Sequence, residues 1–167
     1  GQLAVAYMHG MRDAGMAAIA KHLPGHGAVV ADSHQALPVA RRELADLTED
    51  LRPYRLLIDN GLPAVMVAHV LFPAVDELPA SFSQRWIGGV LRGELGFKGT
   101  VFADDLSMQG AAMVGDIVSR AARALTEMSG PFTTMRSACG IARDSNNPLS
   151  LTPCHWLSLS SVTTFDI

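Results

Sequence analysis

Cysteine is scarce in this chain: only Cys139 and Cys154 occur, at a spacing that suits neither a metal-ligand pair nor a disulfide framework. No apolar run approaches the roughly 20 residues of a membrane span, and no signal-peptide pattern is present. Positive charge is not in excess. Thirteen Lys and Arg against 16 Asp and Glu give a net charge of -3, which argues against a nucleic-acid partner. There is no HExxH pair for zinc and no GxSxG elbow for a nucleophilic serine. These absences leave a reducing, cytoplasmic setting as the default expectation. Gly1 stands where a start methionine would, and the helical pattern is already running by Leu3, so the chain reads as an internal fragment.

What remains is a globular composition. The 167 residues are 49% hydrophobic, enough for the core of one domain. Residues 3–14 read as a helix closed by Gly15, and Met16 to Lys21 as a short apolar strand. Leu44, Leu47, Leu51, Tyr54 and Ile58 recur at helical spacing, with Pro53 expected to kink or split that helix and Gly61 to close it. Residues 64–70 form a second apolar strand. Ser83 caps a helix carrying Ile87, Val90, Leu91 and Leu95 that ends at Gly96. Thr100 to Ala103 is a third strand, followed by Asp104, Asp105 and a helix rich in small residues.

Alternating strands and helices imply parallel strands joined by right-handed crossovers. Two architectures satisfy that pattern: a doubly wound sheet, and part of a (β/α)8 barrel. Each strand ends in a chemically capable residue, Lys21 and His22, then His69, then Asp104, which favours the barrel. Eight such units need well over about 250 residues and only three are legible, so the expected fold is α/β, a partial TIM (β/α)8 barrel over residues 1–126.

The segment 127–167 breaks the pattern. From Met128 to Ile167 there are twelve Ser or Thr and four charged residues, without a sustained period, and both cysteines fall here. A fourth parallel strand is due after the helix ending near Leu125, and none is legible. The segment reads as an irregular tail, either loosely packed or foreign to the domain, as a frameshift would make it.

The densest chemistry lies in residues 21–34, where Lys21, His22, His26, Asp32 and His34 share a loop punctuated by Pro24, Gly25 and Gly27. A loop so rich in titratable groups points to a site. His22 and His26 have the spacing of a helical zinc pair, but Pro24 and Gly25 oppose a helix between them. Asp32, two residues before His34, can orient its imidazole and raise its pKa, which suits general acid and base work near neutral pH. Asp104 directly follows a buried strand, so its carboxylate is available as a nucleophile or to stabilise a cation. The blander alternatives are histidines that merely hydrogen-bond a loop, and Asp104 and Asp105 as helix N-caps.

With these residues assembled, the chain resembles the bacterial β-N-acetylglucosaminidases (β-hexosaminidases) of glycoside hydrolase family 3. The matching runs are Lys21 to Gly27, Asp32 to His34, Ala68 to Val70, Pro79 to Ser81, Leu91 to Phe97 and Phe102 to Met108, in the family's order across residues 3–125. The resemblance implies that Asp104 is the nucleophile, His34 the general acid and base, and Asp32 its partner. It makes Lys21 and His22 the pair that binds sugar hydroxyls, and places His69 among the substrate-binding residues. The implied partner is a saccharide or muropeptide carrying N-acetylglucosamine, as met in peptidoglycan recycling, with no cofactor and no metal.

The implied reaction is retaining hydrolysis of a terminal β-linked N-acetylglucosamine through a covalent glycosyl-enzyme. A histidine acid is cationic before proton transfer and neutral after it, so an anionic acceptor is tolerated; phosphorolysis is the close alternative. The family's preceding barrel half, with further sugar-binding groups, has no counterpart here. A noncatalytic fragment that only binds sugar or self-associates is the alternative from another class.

Overall fold

The computed structural model describes residues 1–128 throughout, and beyond them the backbone of three strand segments. The elements with helical or strand backbone are α1 (Gln2–Asp13), β1 (Ala17–Leu23), α2 (Thr48–Asp59), β2 (Ala64–Val67), a π-helix (Arg85–Glu94), β3 (Thr100–Ala103), α3 (Ile117–Met128), β4 (Ile141–Asp144), β5 (Asn147–Pro153) and β6 (Val162–Asp166). Short 3-10 turns occupy Leu44–Leu47, Ala80–Phe82 and Gln109–Val114.

β1, β2 and β3 form the parallel sheet that the alternating pattern predicts. Ile19 pairs with Ala64 and Ala64 with Thr100, then Ala20 with Val65 and Val65 with Val101; β2 and β3 stay in step, whereas the β1–β2 register shifts between Ala20 and Leu23, where Lys21 and His22 lie. Ala18, Ala20, Leu23, Val65, Val67, Val101 and Ala103, which the register puts on one face of the sheet, all belong to one core, whereas Met66 and Phe102 on the other face are half-buried. Parallel strands present their C-terminal ends at one edge, and that edge collects the end of β1 and the residues after β2 and β3. The backbone carries the pairing past the strands, with Ala68 N–H donating to Leu23 O at 2.8 Å and Asp104 N–H to Val67 O at 3.1 Å.

Several boundaries depart from the sequence reading. β1 runs on through Lys21 and His22 to Leu23, whereas β2 stops at Val67 and leaves His69 beyond its end. Pro53 sits inside α2 without splitting it, in the second turn, where few backbone donors are displaced. The helix after Ser83 is a π-helix, and its buried residues Trp86, Ile87, Val90 and Leu91 fit the wide turn of i→i+5 bonding. Gly15, Gly61 and Gly96, expected to close helices, adopt φ of 78°, 87° and 67°, the left-handed region that other residues enter only at a cost.

Part of the segment read as an irregular tail has strand backbone. β6 lies parallel to β1, pairing Ala17 with Val162 through Lys21 with Asp166, so the sheet has the order β3-β2-β1-β6. β6 therefore sits beside β1, on the edge of the sheet away from β3, and not next to β3 where the next strand of a barrel is expected. β4 and β5 form a separate antiparallel pair. Cys139 and Cys154 lie outside the described residues. Among the described residues no helix is long and apolar enough to cross a membrane.

Candidate active site

The common edge of β1, β2 and β3 brings three sequence segments together. From β1 come Lys21 and His22, both half-buried. From β3 comes Asp104, whose side chain is 17% exposed and whose Oδ2 lies 3.6 Å from His22 Nε2. The other oxygen, Oδ1, accepts the N–H of Asp105 at 2.9 Å. That leaves the carboxylate oriented by one backbone donor and one imidazole, at the mouth of the sheet.

Asp105 is not part of this arrangement. Its Oδ1 accepts the Ser107 N–H at 2.8 Å, and this hydrogen bond holds the Asp105 carboxyl below the usual carboxylate range. The two adjacent aspartates therefore divide, one toward the strand edge and one into the turn that follows it.

Asp32 and His34 stand together in the long loop after β1. Asp32 Oδ1 accepts the His34 backbone N–H at 2.9 Å and lies 2.7 Å from His34 Nδ1. A carboxylate only accepts, so Nδ1 carries a proton and Nε2 is the nitrogen left to exchange one. The Asp32 hydrogen bond and its charge raise the His34 pKa above the ordinary histidine value, and the carboxylates of Asp104 and Asp105 add to the effect. Reciprocally, the hydrogen bonds from His34 lower the Asp32 pKa. Both side chains are exposed. Beneath them Ser33 is buried, its hydroxyl 3.2 Å from His26 Nε2.

His69 is placed differently from a substrate-contacting residue at the end of a strand. It is fully buried, stacks on Phe82 at 5.3 Å with ring planes 4° apart, and has both nitrogens engaged within the protein. Nε2 is 3.0 Å from the Asp105 carbonyl and Nδ1 is 2.6 Å from Ser81 Oγ. A carbonyl cannot donate, so Nε2 carries the proton and Nδ1 accepts from the serine. Burial pushes the His69 pKa down, which keeps the ring neutral. Residues 69, 81 and 105 have no periodic relation in sequence; only the adjacency of β2 and β3 joins them.

His22 and His26 have different partners. His22 faces Asp104 and His26 faces Ser33, and among the described residues no group of three His, Cys, Asp or Glu is placed to hold a metal ion.

Arg92 and Gly99 brace the entry to β3. The Arg92 guanidinium donates to Phe97 O at 3.0 Å and Gly99 O at 2.7 Å, with its centre 5.2 Å from the Phe97 ring. A Cβ on Gly99 would come within 2.3 Å of Pro63 O, so only glycine fits there.

Comparison with known proteins places this geometry in context. The model of the family described as "Glycosyl hydrolase family 3 N terminal domain" matches residues 1–130. A β-hexosaminidase of Methylobacillus flagellatus is 53% identical over 125 residues, covering 74% of this chain and 36% of the relative. A β-hexosaminidase of Nitrosospira multiformis is 46% identical over 160 residues, 93% of this chain and 43% of the relative, so that match extends into the segment after residue 127. Among solved structures, NagZ from Neisseria gonorrhoeae in complex with N-trifluoroacetyl-D-glucosamine is 42% identical, with a TM-score of 0.69, over 81% of this chain and 39% of that one. The chain thus spans well under half the length of the relatives it matches.

Proposed function

Because this chain belongs to glycosyl hydrolase family 3, matching its N-terminal domain, we propose that it is the catalytic edge of a retaining β-N-acetylhexosaminidase. The observation that carries this reading is the meeting of His22 and Asp104 at 3.6 Å on the common end of β1 and β3. The Asp32–His34 pair, poised on the adjoining loop, supplies the proton chemistry. Strands β1, β2 and β3 then form one arc of a (β/α)8 barrel, their sequential order being that of a barrel wall.

In the first half-reaction the Asp104 carboxylate attacks the anomeric carbon of a terminal β-linked N-acetylglucosamine. The bond to the leaving oxygen breaks, and that oxygen takes the Nε2 proton of cationic His34. His34, now neutral, next removes a proton from water as the water attacks the same carbon, releasing the Asp104 carboxylate. Lys21 and His22 hold sugar hydroxyls beside the nucleophile. His69 takes a supporting role in this reading, since its burial and two internal hydrogen bonds leave no nitrogen for a hydroxyl. The natural substrate in this reading is a muropeptide or related cell-wall saccharide, handled in the cytoplasm.

Turnover of an aryl β-N-acetylglucosaminide by the purified chain is the direct test. Release of the aryl group that vanishes in Asp104→Asn supports the reading, whereas release that persists in that variant overturns the nucleophile. Product analysis with inorganic phosphate present distinguishes hydrolysis from phosphorolysis. The chain's short span relative to its relatives favours one second reading, a fragment that binds the sugar without turning it over. Saturable binding of N-acetylglucosamine without aryl release is its signature.

A further inference from the structure

We propose that Gly110 and Ser33 form a pin that sets the position of the Asp32–His34 pair relative to Asp104, making Gly110 a positioning residue. The inference rests on the roles just given to His34 and Asp104. Ser33 is only 5% exposed although it lies between two exposed side chains. Its carbonyl accepts the Gly110 N–H at 2.9 Å. Gly110 follows β3 in the segment that carries Asp104 and Asp105, so this hydrogen bond ties the acid/base loop to the nucleophile's own segment.

Space at Gly110 is as restrictive as the hydrogen bond. An added Cβ would lie 2.9 Å from His69 Cβ, 3.0 Å from His69 O and 3.2 Å from Ser33 O. The nearest atom is closer than real Cβ contacts allow, and the next two belong to backbones. Gly110 is buried and has no left-handed φ, so it is needed for room and not for backbone freedom. Three segments therefore meet at one α-hydrogen: the loop after β1, the end of β2 and the turn after β3. The ring of His69 closes the junction through Asp105 O.

The need for a pin follows from the rest of the loop. Gly25 has φ of 140° and Gly27 is exposed, with nothing within 4 Å of a would-be Cβ. Around Gly27 the loop is open to solvent, whereas Ser33 holds the other end. Without the pin, His34 keeps Asp32, because the pair lies two residues apart in sequence, but loses its registration with Asp104.

Amide hydrogen exchange read by NMR, on the wild-type chain and on Gly110→Ala, tests this, with Gly10→Ala as a control at a site with no neighbours. In the wild type, the Gly110 amide is expected to exchange far more slowly than that of exposed Gly27. In Gly110→Ala the amide at position 110 should exchange about tenfold faster, the equivalent of one lost hydrogen bond, while the control leaves it unchanged. The kcat toward the aryl glycoside should fall about tenfold with KM little changed, because the acid is misplaced and not the sugar.

Should Gly110→Ala not fold, the wild-type comparison of the Gly110 and Gly27 amides still tests the pin, because the acceptor is the Ser33 carbonyl and no variant is needed. A wild-type Gly110 amide as fast as that of Gly27, or exchange unmoved in the folded variant, overturns the pin. Faster exchange with undiminished kcat overturns Gly110 as a positioning residue, whereas undiminished kcat in His34→Ala overturns His34 as the acid.

Discussion

His34 Nδ1 lies 2.7 Å from Asp32 Oδ1, and the same carboxylate oxygen accepts the His34 backbone N–H at 2.9 Å. One oxygen thus fixes both the ring and the chain of the histidine, and its negative charge favours the imidazolium. The folded pKa of His34 is raised above the ordinary value of about 6.5, so the pair's stability contribution is present below that value and is lost as pH rises through the folded pKa. Asp32 has the opposite sign: its folded pKa is lowered, and its contribution is lost as pH falls through that lowered value.

Aryl glycoside turnover should therefore retain a protonated acid to a pH above the ordinary histidine range. Asp32→Asn removes the charge and should move the alkaline limb of the rate profile down toward about 6.5. A limb that does not move would separate Asp32 from the acid step.

Loss of the two reacting side chains should differ in kind. His34→Ala is expected to lower kcat by about 10²- to 10⁴-fold, the usual worth of general acid-base catalysis. Asp104→Asn should cost more, and should abolish the sugar adduct that a slow fluorinated glycoside leaves on the Asp104 peptide in mass spectra.

Lys21→Ala should act on binding. Removing one charged hydrogen-bond donor to a sugar hydroxyl is expected to raise KM about tenfold or more, with a smaller effect on kcat. Steady-state kinetics on the aryl glycoside separate the two parameters.

His69 gives a stability prediction. Its folded pKa is lowered by burial, so its contribution is complete above the unfolded value near 6.5 and declines as pH falls below it. Thermal unfolding should thus show a loss of stability on acidification that is smaller in His69→Gln. His69→Ala, which deletes two hydrogen bonds and a stacked ring, should cost about 3 kcal/mol at neutral pH by denaturant unfolding.

Gly99→Ala should destabilise the chain by about 2–3 kcal/mol, because its Cβ meets a backbone carbonyl that cannot move aside without disturbing β2 and β3. Chemical denaturation of this variant against Gly89→Ala, an open site, isolates the steric effect.

Much of the fold was legible because the parallel strands read as plain apolar runs, although β3 alternates buried and half-buried positions. Residues 64–67 and 100–103 could be located that way, and the glycines at 15, 61 and 96 marked helix ends that only a left-handed residue closes. The π-helix over Arg85–Glu94 was read only as a helix, since the same apolar residues serve either winding until neighbours select one. β6 was missed because Ser- and Thr-rich sequence hides an extended strand whose partner lies far away in the chain.

The sequence by itself determined the chemical inventory: a lysine, histidines and aspartates at strand ends, and the local Asp32–His34 pair, which needs no more than two residues of separation. Only the tertiary structure decided their use. Parallel pairing of β1, β2 and β3, with the register shift of β1 at Lys21 and His22, brings His22 to Asp104, and close packing turns His69 inward onto Ser81 and Asp105. It also reserves the space at residue 110 for a hydrogen. Those relations join residues dozens of positions apart, and chain order carries no distance between them until the sheet has formed.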